Sequence, residues 1–204
     1  MEHIRMYTGG ALETNGYLVI TGADLYIAVD APEGFTDWIL SHRPNARITD
    51  LLITHQHFDH IQDAARMKRQ FGCTVHAHSP FTESLTLSRL WSGLQLEPFE
   101  VDDVIGEARH TDSWGGKAWH IHYVPGHAPD SLVYHMADES ILFSGDVLFA
   151  GSIGRSDFPG GDRNALLGGL RARILNQPAN TNVYPGHGPY TTIKNEILSN
   201  PFIH

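Results

Sequence analysis

The sequence predicts an α/β fold, and three observations carry that reading. Short β-rich runs open the chain, Ile4 to Tyr7, Tyr17 to Ile20 and Leu25 to Val29, with turn signals at Gly9-Gly10 and Gly22-Ala23-Asp24 between them. An apolar strand, a polar loop, an amphipathic segment and another strand then follow from Ile48 to Ala77, the order of a right-handed crossover unit. Three later apolar runs each end in a glycine-containing turn that carries a His or an Asp.

Taken in order, the first three runs read as an antiparallel meander. Asp30 ends the third run before Pro32 and Gly34, where its carboxylate caps the turn or supports a nearby site. Phe35 to Ser41 is a helix candidate, and Ile48 to Ile53 is a buried strand leading into Thr54. Asp59 to Phe71 places Ile61, Ala64, Ala65, Met67 and Phe71 at helical spacing and stops at Gly72, so Asp59 and His60 fall at a helix N-terminus. Thr74 to Ala77 is a strand, and Ser79 to Gly93 reads as a helix or a lid-like excursion. Strands follow at Pro98 to Ile105, Ala118 to Val124, Ser131 to Met136, Ser140 to Phe143 and Asn182 to Tyr184, with helices at Arg163 to Asn176 and Thr191 to Leu198.

The 204 residues suffice for one substantial core, and residues 1–204 read as one domain. A net charge of −9, with no cluster of basic residues flanked by aromatics, argues against nucleic-acid binding. Cys73 is the only cysteine, so no intrachain disulfide can form, and it reads as a packed thiol. No basic region followed by an apolar run opens the chain and no stretch is long enough to span a bilayer, so the protein reads as cytoplasmic, with no membrane partner.

The chemistry starts at Thr54 to His60, where THQHFDH puts three imidazoles and a carboxylate in one loop. These donors suit zinc, and also iron or manganese. His55 and His57 can close on one ion, while Asp59 and His60 crowd too near to complete the same tetrahedron and suggest a second. The later strand ends add His127 in PGHAPDS, Asp146 in SGD and His187 in PGHG. Five His and two Asp are what two adjacent ions need if one carboxylate bridges them. Thr54 and Asp30 read as supports for these ligands. His76, His78, His120, His122 and His135 lack the turn chemistry and read as solvated or hydrogen-bonded structural residues.

On HQHFDH at 55 to 60 with His127, Asp146 and His187, the sequence resembles the metallo-β-lactamase superfamily of dinuclear hydrolases. GSIGRSDFPGGD at 151 to 162 and the ending PGHGPYTTIKNEILSNPFI are similar to the small glyoxalase II-like thioesterases of that family. The resemblance implies an αββα sandwich, two mixed β-sheets with helices outside. It implies two divalent ions, zinc first: His55, His57 and His127 at one, Asp59, His60 and His187 at the other, and Asp146 bridging. Asp59 and Asp146 are the expected catalytic carboxylates, and Arg155 stands in for a basic substrate-binding residue. The implied reaction is hydrolysis of a small-molecule thioester, of the S-lactoylglutathione kind, by a water that the two ions acidify. The same motifs also resemble a mononuclear-iron persulfide dioxygenase, the nearest rival. A non-catalytic metal-binding protein is the rival from another class.

Overall fold

Successive side chains of a strand point to opposite faces, and here Leu25–Val29 and Ile141–Gly145 are largely apolar on both faces. The computed structural model describes residues 3–91 and 94–203 and shows where those faces go. One sheet holds β1 (Ile4–Gly9), β2 (Thr14–Gly22), β3 (Leu25–Val29), β4 (Arg47–Leu52), β5 (Thr74–Ala77) and β6 (Asp103–Val104), paired in that order. The first three strands are antiparallel, and β3 through β6 are parallel. The second sheet contains β7 (Thr111–Trp114), β8 (Lys117–Tyr123), β9 (Leu132–Met136), β10 (Ile141–Gly145), β13 (Asn182–Pro185) and β14 (Thr191–Thr192), in the order β14-β13-β10-β9-β8-β7. Between β10 and β13 the chain makes a small hairpin from β11 (Leu148–Phe149) and β12 (Ser152–Ile153).

Tyr17 and Val19 of β2, Ile27 and Val29 of β3 and Leu52 of β4 meet Trp119, Ile121, Tyr134, Phe143 and Tyr184 of the second sheet in a buried layer. The alternate residues Leu18, Tyr26, Ala28 and Leu51 face outward onto α1 (Phe35–His42) and α3 (Ala64–Phe71). On the far side, Val133, Leu142 and Val183 pack against α5 (Arg163–Gly169) and α6 (Ile193–Ser199). The layers are therefore helix, sheet, sheet, helix, the αββα sandwich. No helix among the described residues is long and apolar enough to cross a membrane.

Several element boundaries differ from the sequence reading for identifiable reasons. The helix expected over 59–71 is two, α2 (Phe58–Ile61) and α3, because Asp63 turns away to donate its N–H to Ala31 O and accept from Thr36 N. The expected strand over 98–105 pairs only at β6, since Phe99 and Val101 are drawn instead into the helix-side core. The segment 79–93 holds α4 (Glu83–Thr86) and a 3₁₀ turn at Ser88–Leu90, its last two residues lying outside the described ones. The helix expected to Asn176 is α-helical to Gly169 and then a π-turn over Leu170–Ile174. Strand β7, with Thr111, Asp112 and Ser113, carries too little apolar signal to be seen in the sequence.

Candidate metal centre

β8, β10 and β13 run in the same direction, so the turns after them open at one edge of the second sheet. His127, Asp146 and His187 sit in those turns, and the loop after β4 brings His55, His57, Asp59 and His60 to meet them from the first sheet. Backbone hydrogen bonds fasten the two halves: Leu132 N donates to Thr54 O at 2.7 Å and Asn15 N to Gly186 O at 2.7 Å. Glycine at 186 is required by space. A Cβ there would stand 2.2 Å from Asp146 Oδ1 and 2.6 Å from His60 Cε1.

Donor atoms of three sets lie within 4.8 Å of one another: His55, His57 and His127; Asp59, His60 and His187; and His55, His60 and Asp146, which joins the first two. Asp146 faces both sides. Its Oδ1 is 3.3 Å from His60 Nε2, and its Oδ2 is 3.3 Å from His127 Nε2 and 3.5 Å from His187 Nε2. All seven sequence-predicted metal residues therefore converge, and every one except His187 is buried.

The imidazoles are held by their other nitrogen. His127 Nδ1 faces Arg155 O at 2.7 Å and His187 Nδ1 faces Leu12 O at 3.1 Å; a carbonyl can only accept, so each Nδ1 carries the proton. Thr54 Oγ1 donates to Asp30 Oδ2 and so accepts from His55 Nδ1, while His60 Nδ1 donates to the same Asp30 oxygen at 2.8 Å. In the neutral imidazole this leaves the Nε2 lone pair directed at the centre. Nε2 of His55 and of His60 and Oδ1 of Asp146 are buried without a hydrogen-bond partner among the described residues, which is costly unless a cation takes them up. The donor set thus fits a pair of divalent ions.

The electrostatics agree. Burial opposes a charge on His60, but Asp59, Asp146 and Asp30 outweigh it and hold its pKa well above the usual value. Burial likewise works against His187, yet hydrogen bonds to Asp146 and Asp59 push it up to about 10. Burial would raise Asp59, but His60 and hydrogen bonds from His187 and Thr14 bring it down to about 2. Asp146, also opposed by burial, is held well below the carboxylate range by His60 and His127. His57 falls to about 3, through burial and then its neighbour His127. At His60 and His187 the carboxylates demand positive charge, which protons or cations can supply, whereas His57 is held neutral with a lone pair to donate.

Asp30 contacts His60 and Thr54, and Thr54 lies between Asp30 and His55. Arg155 lies at the cavity rim, paired through two hydrogen bonds with Asp157 and stacked 4.0 Å above the Phe158 ring. Sequence reasoning missed Thr14, whose hydroxyl donates to Asp59 Oδ2 at 2.7 Å from 45 residues away, and Asp130, which accepts from Gln56 N. No local pattern marks either. Of the remaining histidines, His76 pairs with Asp50 and Asp103, and His120 is exposed. His78, His122 and His135 depart from expectation, with buried ring nitrogens that have no hydrogen-bond partner among the described residues. His78 stacks on Tyr123, and the other two pack in β8 and β9 where neighbouring side chains exclude water.

Comparison with known proteins follows the same lines. A family model described as the metallo-beta-lactamase superfamily matches residues 10–187. The hydroxyacylglutathione hydrolase GloC of Haemophilus influenzae is 34% identical over 159 residues, 76% of this chain and 75% of GloC. The probable metallo-hydrolase YqgX of Bacillus subtilis is 31% identical over 208 residues, 96% of this chain and 94% of YqgX. Among solved structures, the B3 metallo-beta-lactamase BLEG-1 superposes with a TM-score of 0.91 at 30% identity, over 98% of this chain and 99% of its own. TTHA1623 in a di-iron-bound form gives 0.78 at 31%, over 97% and 99%.

Proposed function

This chain belongs to the metallo-beta-lactamase superfamily, and from that premise we propose that it is a dinuclear metal-dependent thioester hydrolase. The observation that carries the proposal is the shared position of Asp146 between two donor trios at the floor of an open cavity. His55, His57 and His127 would hold one divalent ion, Asp59, His60 and His187 the other, and Asp146 both. Such a pair supplies an acidified water and an electrophile for a carbonyl oxygen.

The chain's own residues set up the rest. Thr14 fixes one oxygen of Asp59, orienting a carboxylate that lines the cavity and can receive a hydrogen bond from the attacking water. Arg155 O and Leu12 O keep His127 and His187 turned toward the reacting centre. In the reaction a bond forms from water oxygen to the acyl carbon, and the carbon–sulfur bond breaks with its electron pair on sulfur. The proton given up by water ends on the thiol or in solvent, and a thiolate leaves without a strong general acid. Zinc is the expected metal from the ligand chemistry, with iron the alternative that the di-iron neighbour favours. A cytoplasmic setting accords with the single buried thiol of Cys73, pushed up to about 12 by burial.

The test loads purified protein with zinc, iron or manganese, measures metal per chain, and follows thiol release from a thioester panel that includes S-lactoylglutathione. Thiol release that tracks two ions per chain and stops with a chelator is expected. Oxygen uptake with a persulfide and no thioester cleavage would replace this reading with the dioxygenase one, and inertness of the fully loaded protein would leave a metal-binding protein.

A further inference from the structure

The walls around the centre are apolar on both sides. The cavity has a volume of about 490 Å³, within the range of small-molecule sites, and Leu12, Phe58, Leu87, Phe149, Ile153 and Phe158 line it. Phe158 stands edge-on to His57 with ring centres 6.0 Å apart, and Phe149 does the same to His187 at 6.0 Å. Each donor trio therefore has a phenyl ring beside it. Both rings remain partly open to solvent, so neither serves only to fill the core.

Charge points the same way. Among the described residues that line the cavity, Arg155 is the one Lys or Arg, and its guanidinium is already matched by Asp157 at 2.7 and 2.6 Å. Among the described residues, the adjoining groove past Phe58 and Asp59 carries Glu33 and no Lys or Arg. Away from the metal centre, a thiol bearing carboxylates would meet Arg155 alone as a Lys or Arg among the described lining residues, and would have to displace Asp157 from it.

Resting on the thioester-hydrolase reading above, we infer that the site selects thioesters of an apolar acyl chain with an uncharged thiol, over thioesters of anionic thiols such as glutathione. Apolar area buried against the phenyl rings supplies the discrimination. It grows by about fourfold per methylene until the cavity is filled.

The test uses the metal-loaded protein and four substrates: acetyl and hexanoyl thioesters of N-acetylcysteamine and of glutathione. The expected result is a kcat/KM at least tenfold higher for hexanoyl than for acetyl, with no gain on moving from N-acetylcysteamine to glutathione. Phe149→Ala and Phe158→Ala should each reduce the hexanoyl-to-acetyl ratio by about fivefold or more, with unchanged melting curves showing that the fold is intact. A flat chain-length profile, or a tenfold preference for the glutathione carrier, overturns the inference while leaving thioester hydrolysis standing.

A binding measurement separates the two readings if no substrate is cleaved. The uncleavable ketones S-(2-oxopropyl)- and S-(2-oxoheptyl)-N-acetylcysteamine are titrated calorimetrically. Binding at least tenfold tighter for the longer ketone supports the apolar site, whereas equal binding refutes it whatever reaction the centre performs.

Discussion

Asp30→Asn should loosen both halves of the metal centre with one conservative change. Asp30 is 2% exposed and accepts three hydrogen bonds of 2.8 Å, from Thr54 N, Thr54 Oγ1 and His60 Nδ1. Through Thr54 it fixes His55 of one trio, and directly it fixes His60 of the other. Its backbone lies in the left-handed region at φ 57, which asparagine tolerates and alanine does not, so Asn isolates the side-chain effect. An amide has one oxygen and one NH₂. If the NH₂ faces His60, Nδ1 must become the acceptor, and its proton moves to Nε2, where a cation should bind. If the NH₂ faces Thr54 N, two donors collide in a buried space. Losing such support costs about 10- to 100-fold in metal affinity, or about 1.4 to 2.7 kcal/mol. The lost bonds to a buried carboxylate should also lower unfolding free energy by about 2 kcal/mol. Competition with a chromophoric chelator measures the first quantity and urea unfolding of chelator-treated protein the second. Binding of both ions within twofold of the parent protein would refute the orienting role.

Three further outcomes follow from the geometry. Asp146→Ala should lose metal and thioesterase activity together, with activity down roughly 100-fold or more, because one carboxylate faces both trios; full metal content with near-normal turnover would sink the bridging assignment. Gly186→Ala should weaken metal binding and cost about 1 to 3 kcal/mol in stability, since its Cβ meets Asp146 Oδ1 at 2.2 Å; an unchanged melting temperature and metal stoichiometry would count against that contact. His122 and His135 are lowered to about 4, by burial first and then by neighbouring imidazoles, from the usual 6.5. The unfolded chain therefore takes up protons before the folded one, so stability is full above about pH 6.5 and falls as pH drops toward 4. At pH 5 each should cost about 1 to 2 kcal/mol, read as the difference in unfolding free energy between parent and His135→Gln at pH 7.5 and pH 5; equal pH slopes would refute it.

Much of this was legible in local pattern. The crossover unit from Ile48 to Ala77 and the His and Asp residues at four strand ends depend on periodicity and turn chemistry, which short windows carry. Of the exact matches, Leu25–Val29 is apolar on both faces, and Thr74–Ala77 is a short β-rich run set off by the helix stop at Gly72. Where long-range contacts compete with local preference, the sequence reading slipped. Asp63 breaks a helix because Ala31 and Thr36 claim it, and Phe99 leaves a strand for a core that the helices build.

The sequence by itself determined which residues have metal-ligand chemistry and that they fall in turns after strands or, for Asp59 and His60, at a helix start, because ligand chemistry and tight turns reside in neighbouring residues. Only the tertiary structure decided how those ends meet: Asp146 between the trios, Thr14 on Asp59, Asp30 behind both His55 and His60. It also decided the cavity's character, since Leu12, Phe58, Phe149 and Phe158 are unremarkable until two packed sheets bring their loops to one edge. Donor identity is a property of a side chain, whereas coordination and apolar enclosure are properties of distances, and those are set by packing across the sandwich.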